Sequence, residues 1–311
     1  MQVKTILFQN KGVRKALFLS FTYLFLSYLF VGFKTDQLVL LLILNLLYFA
    51  SSQTRKIFIV CMPYVIFWIL FDYMKAFPNY DFNQVSIEEL YNAEKNLFGF
   101  FSNGHLVTPN EYFIDNTHKI LDILSGIFYL SWVPVPILLT IYFLYTKREQ
   151  AVHLSVAFLL VNLVGFVFYY IYPAAPPWYV AKYGFEFIKN TPGSAAGLIR
   201  FDNAFGIRLF QSMYEKSSNV FAAMPSLHSA YPLIALYFAV KNRIIGLSII
   251  IAITAFGIWF CAVYTSHHYI LDVLGGILCA IVGIALYEIL YQKLFSFRKM
   301  INRLCLHLNT A

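Results

Sequence analysis

A chain of 311 residues that is 60% hydrophobic and 12% charged does not have the composition of a soluble domain, in which about 25% of residues are charged. The formal charge of +8 comes from Lys and Arg gathered between apolar runs. A polytopic membrane protein is therefore the starting expectation, and nothing points to nucleic acid as a partner.

The first apolar run, about 16–33, follows Lys4, Lys11, Arg14 and Lys15. No small-x-small cleavage site comes after it, so it reads as a retained span. Runs at 37–51 and 57–75 follow, with Arg55 and Lys56 near their junction. A long stretch of mixed polarity, 76–121, precedes runs at 122–145 and 152–172, which flank Lys147 and Arg148. A second mixed stretch, 173–225, leads into runs at 226–240, 244–264 and 268–291, with Lys241 and Arg243 between the first two. The runs at 37–51 and 226–240 fall short of the ~20 residues a spanning helix needs. The expectation is an all-α, polytopic helical membrane protein with six to eight transmembrane helices. Residues 1–56 would form two N-terminal spans, 57–291 a catalytic membrane domain, and 292–311 a cytoplasmic basic tail.

With eight spans, short loops holding 14 of the 23 Lys and Arg fall on one side. By the positive-inside rule that side is cytoplasmic, and so are both termini. Acids such as Asp81, Glu94, Glu111 and Glu186 fall in the two long loops outside. Loops longer than about 15 residues are usually functional or disordered. These carry too many aromatics for simple disorder and should fold as partial helices and caps. Cys61, Cys261, Cys279 and Cys305 follow no zinc or disulfide spacing and read as small packing residues.

The same topology brings two polar segments together at the outer membrane face. One is Met224-Pro225-Ser226-Leu227-His228, the other His267-His268-Tyr269-Ile270-Leu271-Asp272. Ionisable side chains within spans are costly and mark functional sites. On a helix, Asp272 lies one turn after His268 on the same face. A carboxylate on one imidazole nitrogen selects the tautomer and presents the other nitrogen as a nucleophile. His228, at the same depth on another span, can protonate a leaving oxygen. Ser226 can cap its helix or bond a phosphoryl oxygen. His267 adjoins the nucleophile and is assigned to substrate binding. No HExxH-like spacing marks a metal site, and neither metal nor cofactor is expected.

Pro225-Ser226-Leu227-His228 with His268-x-x-x-Asp272 resembles the second and third signature motifs of the type 2 phosphatidic acid phosphatase superfamily. The resemblance implies that His268 becomes transiently phosphorylated, that Asp272 orients it and that His228 is the general acid. The phosphatases carry Lys-x6-Arg-Pro as a first motif and an Arg six residues before the nucleophile. Here the first motif is missing and that position is Ala262. Further stretches are similar to the inositol phosphorylceramide synthases of fungi and their bacterial relatives. They are Thr108-Pro109-Asn110-Glu111-Tyr112-Phe113, the run from Gly126 to Pro136, and Tyr172-Pro173-Ala174-Ala175-Pro176-Pro177-Trp178-Tyr179. This likeness implies a phosphotransferase with a phosphatidic-acid-phosphatase-type helical core. It would move phosphoinositol from phosphatidylinositol to ceramide at an extracytoplasmic active site.

Four assignments stay open at this level. Trp178 and Tyr179 are either interfacial anchors or a lip beside the site. Arg200 and Arg208 are either solvated loop charges or phosphate partners replacing the missing cations. Asp72 either binds a polyol hydroxyl or pairs with Lys75. A hydrolase of the same superfamily, or a lipid transporter using His and Asp as a proton relay, would carry the same pattern.

Overall fold

The computed structural model describes residues 11–215 and 219–310. Lys4, counted above among the cytoplasmic cations, lies outside them. The chain is helical almost throughout. Helices α1 (Lys11–Val31), α2 (Thr35–Phe49) and α3 (Ser52–Tyr73) come first. Gly32, at φ 75°, supplies the left-handed residue that reverses the chain after α1. Ser51 caps α3, its side chain accepting from the Thr54 N–H, as a Ser before an apolar run should. Phe18, Phe21 and Leu42 stand exposed on α1 and α2. Such surfaces suit hydrocarbon and not water.

The first long connecting stretch folds as α4 (Glu88–Phe98), a two-stranded hairpin of β1 (Phe100–Ser102) and β2 (His105–Val107), and α5 (Pro109–Asp115). The hairpin departs from the helical expectation. Its turn is Asn103-Gly104, both at positive φ (49° and 81°), the residue pair a two-residue hairpin turn prefers. The run expected as one span at 122–145 is instead two helices, α6 (Lys119–Leu130) and α7 (Pro134–Thr146), bent by 45°. Pro134 and Pro136 lack the N–H that would continue the first helix. Then come α8 (Arg148–Ile171), α9 (Pro177–Tyr183), α10 (Ile199–Phe205), α11 (Leu209–Glu215), α12 (Leu227–Lys241), α13 (Ile245–Tyr264), α14 (Ile270–Lys293) and α15 (Phe295–Thr310).

Among the described residues, α1, α3, α8, α13 and α14 are each long and apolar enough to cross a membrane, and the bent α6–α7 pair makes six. Helices α2 and α12 have 15 residues each. Helix α12 is nonetheless buried at the centre, against α8, α13 and α14. Phe158, Val161, Tyr231, Ala235, Phe238 and Ala280 form this core. A Cβ on Gly283 would stand 2.8 Å from the Val161 Cα, the close backbone approach that small residues allow between membrane helices. The basic C-terminal segment is not a free tail. As α15 it packs Ile301, Cys305 and Leu308 against the bundle.

The outer stretches are tied over the helix ends by backbone pairing. Ser86 N–H donates to Pro173 O, and Ala174 N–H to Phe221 O. The buried Asn79 amide adds bonds to Tyr169 O and Phe221 O. The described parts of both stretches thus form a cover over the helix ends.

Candidate active site

The site is assembled from the first turn of α12, the turn joining α13 to α14, and the outer cover. Ser226 stands at the N-cap of α12, and its N–H donates to Asp272 O at 2.9 Å. This bond needs a very close approach of the two helices, and Gly276 allows it. A Cβ there would lie 2.0 Å from Ser226 O. His228 is therefore fixed in height and rotation against α14.

The second element is the reversal at 265–269. Ala262 O accepts from both the His267 and His268 N–H groups at 3.0 Å, and Ser266 takes φ 58° to turn the chain. Four outer contacts hold this reversal. Asn110 donates to Val263 O at 2.9 Å and His268 O at 3.0 Å. Trp178 N–H donates to Ser266 O, and Gly197 N–H to Thr265 O. His268 and Asp272 do not share a helix face as the spacing suggested. His268 precedes α14, Tyr269 is the N-cap and Asp272 lies in the first turn. The two still come together, with His268 Nδ1 3.5 Å from Asp272 Oδ2, although Nδ1 makes no hydrogen bond among the described residues. Asp272 Oδ2 also accepts from the Tyr269 N–H at 2.8 Å.

His268 Nε2 faces His228 Nδ1 at 3.1 Å. The two imidazoles and the carboxylate thus lie in a row, in the order His228, His268, Asp272. Aromatic rings enclose them. Trp132 meets His228 edge-on at 4.5 Å and Tyr129 lies 4.9 Å from it, both between ring centroids. His267 is sandwiched between Tyr129 and Tyr214. Its Nε2 lies 3.0 Å from Ala195 O. A carbonyl only accepts, so that nitrogen carries the proton. Burial pushes both connector histidines, His267 and His268, below the ordinary imidazole range, so they stand neutral at pH 7. A neutral imidazole is the form able to act as a nucleophile.

A cavity of about 130 Å³ opens onto His228, His267 and His268. Trp132, Trp178 and Tyr231 line it, with Phe67, Trp68 and Phe71 of α3 on one side. No Lys or Arg is among its described lining residues. Trp68 is 58% exposed, so this wall reaches the outer surface of the bundle.

The other residues singled out from the sequence are distributed as follows. Trp178 borders the cavity. Tyr179 is buried behind it, donating to Glu186 O and accepting from the Ile188 N–H. Ser226 is buried and accepts from the Ser229 hydroxyl. Arg200 Nε bonds Asp122 at 2.6 Å, and its guanidinium lies over the Tyr264 ring. Arg208 pairs with Glu215 on the surface. Asp72 contacts Lys75 at 2.9 Å and Lys34 at 3.6 Å. The structure does not bring Tyr179, Ser226, Arg200, Arg208 or Asp72 to the cavity wall.

Four contributors were not assigned from the sequence. Asn110 sits in a stretch quoted for its resemblance, but nothing local shows that its amide bonds the chain 153 and 158 residues away. Tyr129 and Trp132 lie in an apolar run where aromatics are unremarkable. Glu94 is one acid among several in a polar helix. In the structure it is fully buried and accepts from the N–H groups of Ile270 and Leu271 at 2.9 and 3.1 Å.

The sequence model of the PAP2 superfamily matches residues 96–286, which include His228, His267, His268 and Asp272 but neither Glu94 nor the α3 wall of the cavity. The chain is 47% identical over 285 residues to the phosphoinositol dihydroceramide synthase of Bacteroides thetaiotaomicron, covering 90% of this chain and 93% of that one. It is 28% identical over 247 residues to the inositol phosphorylceramide synthase catalytic subunit of Schizosaccharomyces pombe, covering 74% of this chain and 53% of the fungal one. With the inositol phosphorylceramide synthase of Candida albicans it shares 30% identity over 57% of this chain and 37% of the relative. The chain thus spans nearly all of the bacterial relative and about half or less of these two fungal ones. No solved structure matches it.

Proposed function

The chain belongs to the PAP2 superfamily, and from that premise we propose that it is a phosphoinositol transferase, moving the head group of phosphatidylinositol onto the primary hydroxyl of a ceramide or dihydroceramide. The observation that carries this reading is the row His228, His268, Asp272 beside an aromatic cavity. His268 Nε2 attacks phosphorus, and the bond to the diacylglycerol oxygen breaks. His228, protonated, gives its proton to that oxygen and is left neutral. The phosphorylated imidazole is cationic, and the Asp272 carboxylate at its other nitrogen offsets that charge. The ceramide hydroxyl then loses its proton to His228 and attacks the phosphohistidine. His268 is released, and His228 is protonated for the next cycle. Binding of the phosphodiester replaces the His228–His268 bond.

Ala262, which stands where the superfamily's phosphatases carry an Arg six residues before the nucleophile, favours a phosphodiester, with a single negative charge, over a dianionic monoester. The aromatic wall that reaches Trp68 supports lateral entry of lipid, so that the charged head group need not cross hydrocarbon. Lys241 at the far end of α12 from His228 supports an extracytoplasmic site, by the positive-inside rule.

The test is product analysis with purified full chain and head-group-labelled phosphatidylinositol, with and without ceramide. Label in an inositol phosphorylceramide that forms only with both lipids is expected. Faster phosphate release from phosphatidic acid than transfer to ceramide would overturn the reading.

A further inference from the structure

Helix α14 starts without a side chain fit to cap it. Its N-cap residue is Tyr269, which makes no capping bond with its own side chain. Ser, Thr, Asp or Asn normally supplies that oxygen to the first free N–H groups. Asp272 performs half of the task, taking the Tyr269 N–H on Oδ2. The next two donors, the Ile270 and Leu271 N–H groups, are taken by a carboxylate from a different element. Glu94 on α4 reaches one with each oxygen, at 2.9 and 3.1 Å. It is fully buried, and no ion pair joins it to a cation among the described residues. A buried acid is ordinarily paired or hydrogen-bonded, and here helix N–H groups are its partners. Burial and the nearby Asp272 hold its carboxyl above the ordinary carboxylate range, against the two N–H groups that draw it down.

We propose that Glu94 is a positioning residue that acts through Asp272. It saturates the N–H groups of Ile270 and Leu271, so that the Asp272 carboxylate stays turned toward His268. Without it, the acidic residue left in the helix's own first turn is Asp272, whose Oδ1 has no hydrogen-bond partner among the described residues. Drawn to them, Asp272 would leave its place 3.5 Å from His268 Nδ1, where its charge favours the tautomer that aims Nε2 at phosphorus. The cover would thus be coupled to the chemistry through one side chain 176 residues from its nearest donor. This inference rests on the nucleophilic role given to His268 above.

The experiment uses full-length Glu94→Gln in detergent. It reads kcat and KM for lipid transfer, and the affinity for orthovanadate, whose bipyramidal form imitates phosphorus under attack. A drop in kcat of about 10- to 100-fold is expected, the scale of an ångström-level misplacement. KM should be unchanged and orthovanadate binding weakened by a similar factor. On an Asp272→Asn background the same change should cost nothing further. Ile270→Pro is the reciprocal variant, because it deletes one donor and leaves the side chain of Glu94 alone. Pro is accepted at the first helical position, and Tyr269 at φ −73° and ψ 162° already suits a following Pro. Ile270→Ala, which keeps the N–H, is its control, and only the Pro variant should lose kcat. Unchanged kcat per folded molecule in Glu94→Gln, or equal effects of Pro and Ala at 270 should the Gln variant fail to fold, would overturn the proposal. If ceramide transfer is absent in the wild type but orthovanadate affinity still falls in Glu94→Gln, the substrate reading fails and the positioning role stands.

Discussion

Gly276→Ala tests whether helix proximity sets the catalytic geometry. The added methyl would stand 2.0 Å from Ser226 O, 2.9 Å from Ser226 C and 3.1 Å from Ser229 Cβ, whereas ordinary van der Waals contact begins at 3.4 Å. The nearest obstacle is backbone, so no side chain can swing aside. Helices α12 and α14 must part by about 1.4 Å or tilt. Overpacking of this kind costs about 1–3 kcal/mol in stability. The Ser226 N–H bond to Asp272 O, at 2.9 Å, would stretch beyond useful length. His228 would move away from His268 by a similar distance, and a shift of about an ångström at a reacting pair costs about 100-fold in rate. Gly275→Ala is the control one residue away. Its methyl would meet Met224 Cε at 3.4 Å, Pro225 Cβ at 3.5 Å and Pro225 Cα at 3.7 Å, all ordinary contacts. Thermal unfolding in detergent and lipid transfer by mass spectrometry would be compared for the two variants. Gly276→Ala should lose rate and melt earlier, while Gly275→Ala behaves as wild type. If both retain full activity, close packing at Gly276 does not set the position of His228.

Three further outcomes follow from the site. His268→Ala should abolish transfer, whereas His228→Ala should recover part of its rate with a donor whose leaving oxygen is more acidic; equal recovery in both would remove the distinction between nucleophile and acid. Arg200→Ala should lower the melting temperature, through loss of a charged hydrogen bond worth about 2 kcal/mol, and leave KM for phosphatidylinositol unaltered. A tenfold rise in that KM without destabilisation would instead assign Arg200 to the phosphate. In a cysteine-free background, Cys placed in 76–121 should react with an impermeant thiol reagent in intact cells and Cys beside Lys147 should not, with reversed labelling sinking the proposed orientation.

The apolar runs and the spacing of Lys and Arg were enough to establish a helical multi-pass membrane protein, because burial in hydrocarbon is a local demand that each segment meets by its own composition. The partnership of His268 with Asp272 was legible for a similar reason, since four residues of chain keep the two within reach. Its form was not. The sequence pattern suggested one helix face, and the structure delivers the contact through a capping turn. The bend at Ser131–Val133 follows from Pro134 and Pro136, although the apolar run alone read as a single span. Tertiary structure alone decided what depends on distant chain segments. His228 meets His268 across 40 residues because Gly276 lets α12 and α14 touch at the backbone. Asn110 and Glu94 hold the turn that carries His268 from the cover, and neither differs in local sequence from the solvated polar residues around it. Arg200 and Asp72 were ambiguous for the complementary reason. A charge in a loop or near a span end carries no sign of its partner, and packing gave Arg200 to Asp122 and Asp72 to Lys75.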